Sequence, residues 1–466
     1  MTAPTVTFWG AARTVTGSMH LLVANGRKML LDCGLFQGRR AEAYQRNSTF
    51  PFKPSDIKAV VLSHAHMDHC GNLPNFVRQG FDGPIYSTPA TRDLAAIMLL
   101  DSAKIQEEDA EYLNRHREKG EPPVKPLYDQ RDVTHTMRCF VTVAYDRPFD
   151  LGQGVGLHFV DAGHLLGSAM VAVDLHGDGK DRRLTFTGDL GRRNLPILRD
   201  PAPVPPADLL ISESTYGGRT HPPVEQLADF LGEVVRRTAE RSGKVIIPAF
   251  SLGRTQTVIL YLHQLINAGR LPSIPIFVDS PLAANATEVF RLHPECFDEE
   301  TAKLLANDPD LFGGSRVRYI HSVEESKKLN GRTDPCIIIA ASGMCETGRI
   351  VHHLKHNIED PRNTVAIIGY QAPETLGRRI VEKQPDVRIH GRMWKLRAEV
   401  VVMNGFSSHA DQNDFRDYLK PLAKDTAYVR LVHGEVDQAE ALAKSLRDYG
   451  FADVAIPDRG QSVSLT

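Results

Sequence analysis

The sequence predicts a layered α/β protein. Three observations carry this reading: short β-branched runs recur along the chain, amphipathic helical stretches lie between them, and the composition is ordinary for a globular protein, with 42% apolar and 24% charged residues. In chain order, strands are expected at 6–8, 58–62, 209–212, 244–247, 337–340, 365–368, 400–403 and 428–432. Helices are expected at 91–114, 224–239 and 255–267, where apolar residues return at helical spacing. The stretch 196–206 carries five prolines and reads as an extended connection. Residues 116–128 are charged and proline-containing, and read as a solvated surface loop. A chain of 466 residues has room for two or three domains. Breaks are expected after the strand ending near Glu213 and before the strand at 400–403.

Charge and cysteine usage narrow the class. Lys and Arg number 55 against 57 Asp and Glu, a net charge of −2, which gives no overall sign of a polyanionic partner. The average hides unlike regions. Residues 362–395 hold 7 Lys/Arg against 3 Asp/Glu, which marks that stretch as a candidate wall of a substrate cleft. No apolar run is long enough to span a bilayer, and the first residues lack a basic then apolar leader, so a cytoplasmic protein without a membrane partner is expected. The six cysteines form no C-x-x-C pair and are expected to be buried free thiols.

The 19 histidines point to a metal. An apolar strand, Val60-Val61-Leu62, runs through Ser63 into His64-Ala65-His66-Met67-Asp68-His69, placing four candidate ligands within six positions. Past the strand end the chain turns, so His64 and His66 can converge on one ion while Asp68 and His69 reach a second. Imidazole with carboxylate favours zinc, with manganese as the alternative. Further along, His164 sits in the Gly-flanked turn Asp161-Ala162-Gly163-His164, and Asp189 follows the strand Leu184-Thr185-Phe186. Asp32, at the end of Met29-Leu30-Leu31, is placed to orient a ligand or a bound water.

In this order, Asp32, His64-x-His66-x-Asp68-His69, His164 and Asp189 resemble the metallo-β-lactamase superfamily. Three later segments resemble the motifs of its β-CASP nucleases: Ser212-Glu213-Ser214-Thr215-Tyr216-Gly217, Phe406-Ser407-Ser408-His409-Ala410-Asp411, and Val432-His433-Gly434. The opening Gly10-Ala11-Ala12-Arg13-Thr14 and the stretches around Ser251-Leu252-Gly253-Arg254 and Ser342-Gly343 match as well, so the resemblance spans nearly the whole chain. It implies an αββα sandwich built from residues 1–213 and 396–466, with a β-CASP domain at 214–395 inserted between them and substrate in the cleft. Stand-alone bacterial and archaeal relatives of the mRNA 3′-end cleavage endonuclease subunit are the nearest in kind.

The resemblance also implies roles. One ion takes His64, His66 and His164, a second takes Asp68, His69 and His433, and Asp189 bridges them. The expected activity is two-metal, zinc-hydroxide hydrolysis of RNA phosphodiesters, endonucleolytic first and 5′-exonucleolytic second. His409 is the expected general acid, oriented by Glu213, and with Asp68 and Asp32 these form the catalytic set. Ser251, Arg254, Ser342, Gly343, Ser407 and Ser408 are expected to hold substrate phosphate. DNA-directed members usually carry an aliphatic residue where this chain has His433, which favours RNA over DNA. Monomer and homodimer both stay open. Two other readings compete. A lactamase-fold hydrolase of a small thioester or lactone fits the metal motifs but not the inserted domain and later motifs. A non-catalytic RNA-binding scaffold is expected to lose ligands, and here every ligand is present.

Overall fold

A computed structural model describes residues 3–38, 40–117, 122–177, 180–250, 252–308, 310–313, 316–369, 371–372 and 374–465. They form two compact units. The first comprises Met1–Arg193, Asp200–Thr220 and His409–Thr466, and the second Asn194–Arg199 and His221–Ser408.

The first unit is built on two seven-stranded sheets. One runs in the order Ser462–Ser464, Thr5–Phe8, His20–Ala24, Arg27–Leu31, Ala59–Val61, Ile85–Ser87, Phe140–Thr142. The other runs Val454–Ala455, Tyr428–Val432, Leu209–Glu213, Arg182–Phe186, Ala169–Leu175, Val155–Asp161, Phe149–Gly152. Strand side chains alternate between faces, and the two cores show it. Leu209 and Ile211 enter one core with Phe8, Leu22, Leu31 and Val61 of the opposite sheet, so the sheets pack face to face. Leu210, between them, enters the other core with Phe415 and Leu419 of helix Gln412–Leu419 and Leu442 and Leu446 of helix Val436–Asp448. On the other side, helix Pro89–His116 packs on strand Phe140–Thr142. Its start is set by Thr88, whose hydroxyl accepts from Thr91 N, and by Pro89 in the first turn. The expected αββα sandwich is therefore what forms.

The second unit holds a six-stranded parallel sheet in the order Val317–Tyr319, Ile276–Asp279, Ile337–Ala340, Val245–Pro248, Thr364–Ile367, Glu399–Val402. Its central strands are apolar at every position because helices cover both faces. Ile337 and Ile339 join one core with helices Leu227–Glu240 and Arg254–Asn267, and Ile338 joins the other with helix Arg349–Asn357. A separate antiparallel hairpin pairs Asp386–Ile389 with Arg392–Lys395.

The unit boundaries differ from the divisions expected at 213/214 and 395/396. They fall after Thr220 and Ser408, because strand Glu399–Val402 pairs with Thr364–Ile367 and belongs to the second sheet. Part of the loop expected at 116–128, residues 118–121, lies outside the described residues. All six cysteines are free, five of them buried. Among the described residues, no helix is long and apolar enough to cross a membrane.

Ile338 is fully buried in the middle of the parallel sheet. Replacing it with alanine should lower unfolding free energy by about 2–5 kcal/mol, read from chemical denaturation of the second unit's transition.

Candidate metal centre

Each candidate ligand in the first unit stands just past a strand end. Strand Ala59–Val61 gives way to an extended segment ending at His66, which caps the short helix Met67–Cys70 bearing Asp68 and His69. The backbone pins this turn: Ser18 N donates to Asp68 O at 2.7 Å, Cys33 N to His69 O at 2.8 Å and Leu35 N to Met67 O at 2.9 Å. The approach requires glycine at 34, where a Cβ would lie 1.6 Å from the Asp68 carbonyl oxygen. His164 is held by Ser168, whose Oγ accepts from His164 N at 3.0 Å and Leu165 N at 3.1 Å. Asp189 follows Gly188, which has φ +54° and stands so near Ser63 that a Cβ would come within 2.7 Å of the serine Cβ. His433 N donates to Ala11 O at 2.7 Å, tying the end of strand Tyr428–Val432 to the opening motif.

The ligand atoms converge in two adjoining sets. In the first, His64 Nε2 lies 3.1 Å from His66 Nδ1, which lies 3.3 Å from His164 Nε2. Asp189 Oδ2 is 3.5 Å from His64 Nε2 and 3.6 Å from His164 Nε2. In the second, Asp68, His69 and His433 gather within 4.8 Å of one another, with His433 Nε2 3.3 Å from Asp68 Oδ2. The other oxygen of Asp189, Oδ1, faces this set, 3.3 Å from His69 Nε2 and 3.6 Å from His433 Nδ1.

The donor set fits metal ions. Ligand atoms about 2.0–2.1 Å from a tetrahedral zinc stand about 3.3–3.4 Å apart, close to the separations in the first set. In the second set, His69 Nε2 and Asp189 Oδ1 are buried with no hydrogen-bond partner among the described residues. Buried polar atoms left this way are what a cation at the centre would satisfy.

Charges at the centre follow from burial and neighbours. Burial, with His69 nearby, keeps His64 well below the usual imidazole range, burial and His409 do the same for His164, and burial brings His66 down to about 4. These rings are neutral, with lone pairs available. Burial opposes ionising Asp189, yet the imidazoles of His433, His69 and His64 hold it well below the usual carboxylate range. Burial likewise opposes charge on His69 and His433. Asp189 and Asp32 nonetheless hold His69 well above the usual value, and Asp189 and Asp68 raise His433.

Supporting groups fix the rings. Asp32 accepts from Ser63 N at 2.8 Å, from the hydroxyls of Ser18 and Ser63 at 3.0 Å each, and pairs with His69 Nδ1 at 2.7 Å. It lies behind His69 rather than among the converging ligand atoms, which is the orienting position expected from its place after a strand. Two supports were not singled out from the sequence. Ser63 Oγ lies 3.1 Å from His64 Nδ1, and Thr215 Oγ1 lies 3.1 Å from His433 Nδ1 while donating to His433 O. Both are hydroxyls beside recognised motifs, and a single sequence carries no further signal for them. His409 is brought to the same centre, its Nδ1 3.2 Å from each Glu213 oxygen and 3.9 Å from Asp189 Oδ2. Glu213 is fully buried and also accepts from Leu190 N at 2.6 Å.

The expected phosphate contacts belong to the second unit, apart from Ser251, which lies outside the described residues. The Arg254 guanidinium stands 4.8 Å over the Phe250 ring, and Gly343 approaches the same ring so closely that a Cβ would come within 2.7 Å of it. Ser342 adjoins Gly343, while Ser407 and Ser408 follow strand Glu399–Val402.

The sandwich and the paired ligand sets define a metal-dependent hydrolase of the metallo-β-lactamase class. Residues 12–248 match the metallo-β-lactamase superfamily, 255–380 the β-CASP domain and 394–457 the Zn-dependent metallo-hydrolase RNA specificity domain. The chain is 39% identical to Ribonuclease TTHA0252 of Thermus thermophilus over 98% of its own length and 97% of that protein's. It is 32% identical to transcription termination factor FttA of Methanosarcina mazei, covering 95% of this chain and 69% of that one. A crystal structure of a protein of unknown function from Enterococcus faecalis shares the fold, with a TM-score of 0.56 at 13% identity over 99% of this chain and 100% of that one. The chain belongs to the β-CASP nuclease family of the metallo-β-lactamase superfamily, and it is a hydrolase.

Asp189 and Asp32 favour a proton on His69, Asp189 and Asp68 favour one on His433, and each ring must be neutral at its ligating nitrogen to hold an ion. Zinc binding is therefore expected to release protons, an effect that fades as pH rises through the raised pKa values of the two rings. Calorimetry in buffers of differing ionisation enthalpy reads this directly; a heat independent of buffer would contradict it. Separately, Asp32→Ala should weaken zinc affinity about 10–100-fold in a chelator competition, because His69 loses its orienting partner.

Proposed function

We propose that this protein is a metal-dependent ribonuclease that hydrolyses RNA phosphodiester bonds with two divalent ions, as an endonuclease, with 5′-exonuclease action as the secondary reading. The observation that carries this reading is the pair of adjoining ligand sets, each facing a different oxygen of Asp189. RNA as substrate is supported by the match of 394–457, a segment containing both His409 and His433, and by the ribonuclease named among the relatives. Two ions, zinc with manganese as the alternative, supply an activated water at neutral pH and a clamp on the phosphate when bound.

The chain's own residues supply the rest. His64, His66, His164 and Asp189 would hold one ion, and Asp68, His69 and His433, faced by the other Asp189 oxygen, would hold a second. His409 donates a proton to the leaving oxygen. Glu213 accepts from His409 Nδ1 and so fixes the ring, leaving Nε2 as the donor atom. Its own position is fixed by the Leu190 and Thr215 amides. Arg254 and the Gly343 region are assigned to substrate phosphate. Asp32 acts through His69.

End-labelled RNA and a DNA of the same sequence should separate the outcomes. RNA cleavage that stops with chelator and with Asp189→Ala is expected, with internal fragments preceding mononucleotides. His409→Ala should lower kcat about 10²–10⁴-fold while retaining zinc, and Glu213→Gln should lower it less. Full activity in both variants would remove the proton-donor assignment. Turnover of thioesters in place of RNA would overturn the function itself.

A further inference from the structure

The basic surplus of residues 362–395 has a specific location. Of its seven cations, Arg362 pairs with Asp360, Arg378 pairs with Glu382, and Arg379 donates to Glu374 O. Lys383 is exposed just after helix Leu376–Val381 and precedes the hairpin of Asp386–Ile389 and Arg392–Lys395. The other three, Arg388, Arg392 and Lys395, all lie on that hairpin. They have no side-chain hydrogen bond or ion pair among the described residues, and all three are exposed.

The hairpin has one committed face and one open face. Val387 and Ile389 are buried, and Trp394 packs against their core. Cross-strand pairing sets Val387 opposite Trp394, so alternation turns the pairs Arg388–Met393 and Asp386–Lys395 the other way. Met393 is 56% exposed there. Arg392, paired with Ile389 and so off that open face, is exposed beside the turn, at whose tip the His390 ring (φ +47°) lies against His352 of helix Arg349–Asn357, centroids 4.7 Å apart and planes tilted by 38°. Asp386 shares the open face at the position opposite Lys395, and Glu359 accepts from the Lys395 amide at 3.0 Å.

Arg388 and Lys395 on the open face and Arg392 at the turn, with two exposed imidazoles and an exposed thioether alongside, give a two-stranded ribbon suited to a polyanion and presenting rings on which bases can stack. Single-stranded nucleic acid has both properties. An acidic protein offers the charge but not a run of flat rings regularly spaced between its anionic groups. We infer that this ribbon is a binding surface for single-stranded RNA, held by Arg388, Arg392 and Lys395 through phosphates and by His390 and His352 through bases. The inference rests on the ribonuclease reading above and adds to it a surface that matches no catalytic motif.

The test compares the full-length wild type with the triple variant Arg388→Gln, Arg392→Gln, Lys395→Gln, using an unstructured RNA. KM should rise about ten-fold at physiological salt with kcat unchanged, and the slope of log affinity against log salt should fall by about 0.7 for each phosphate no longer neutralised. The charge-preserving variant Arg388→Lys, Arg392→Lys should keep the wild-type salt slope, and His390→Ala should raise KM without changing that slope. Matching melting curves and zinc content keep folding out of the comparison. If the wild type cleaves RNA and the triple variant matches it in KM and salt slope, the ribbon inference fails alone. If the wild type neither binds nor cleaves RNA, the ribonuclease reading has failed first. A triple variant that loses affinity for poly-glutamate but not for RNA would overturn the inference and give the surface to an acidic protein.

Discussion

The first unit is organised around the burial of one carboxylate. Asp189 is almost wholly inaccessible and ionised, and an isolated buried charge costs several kcal/mol even after relaxation. The cost is offset by surrounding it with imidazoles: His64 and His164 on one oxygen, His69 and His433 on the other. Those rings and the carboxylate follow four different strand ends, with His64 and His69 sharing one, so the sandwich must close correctly before the charge is compensated. Gly188 follows from the same demand. Its left-handed backbone and close approach to Ser63 bring Asp189 up to the His64 turn, and any side chain there would push the two apart.

Strand ends suit this task because a sheet fixes backbone position while leaving the residue just past it free to turn. Asp32 shows the tightest use of this freedom. It adopts φ +60° immediately after strand Arg27–Leu31, and one carboxylate then collects donors from Ser18, Ser63 and His69. The bonds to Ser63 reach the next strand's end, so Asp32 couples the placement of His64 and His69 rather than orienting one ring alone. Glu213 repeats the device on the other sheet, joining Leu190, Thr215 and His409.

Much of this was legible because the ligands lie directly after apolar strand runs, where sequence proximity and spatial proximity coincide. The helices expected at 91–114 and 255–267 appear as Pro89–His116 and Arg254–Asn267, since long amphipathic periods and caps are local signals. Sheet membership was not legible. Glu399-Val400-Val401-Val402 reads much like Tyr428-Val429-Arg430-Leu431-Val432, yet the first pairs with Thr364–Ile367 and the second with Leu209–Glu213. Which neighbour a strand selects depends on tertiary packing, and a strand's own composition does not encode it. The supports from Ser63 and Thr215 were hidden for a related reason. A hydroxyl beside a ligand is common, and only geometry shows that it holds a ring.

The charge distribution has a logic that the net value conceals. In the folded centre Asp189 and Asp68 favour protons on His69 and His433, and those imidazoles in turn favour the ionised carboxylates, so each sign of charge lowers the cost of burying the other. Divalent ions replacing those protons bring more positive charge than leaves, which turns a balanced cluster into one that attracts an anion. That attraction is short-ranged, because salt screens charge beyond about 10 Å. A long polyanion gains little from it except at the few nucleotides nearest the centre. The unpaired surface cations Arg388, Arg392 and Lys395 show how positive charge gathers on one hairpin while the whole chain stays at −2. A net charge of −2 is therefore compatible with a nucleic-acid substrate, provided the positive charge is concentrated where phosphates lie.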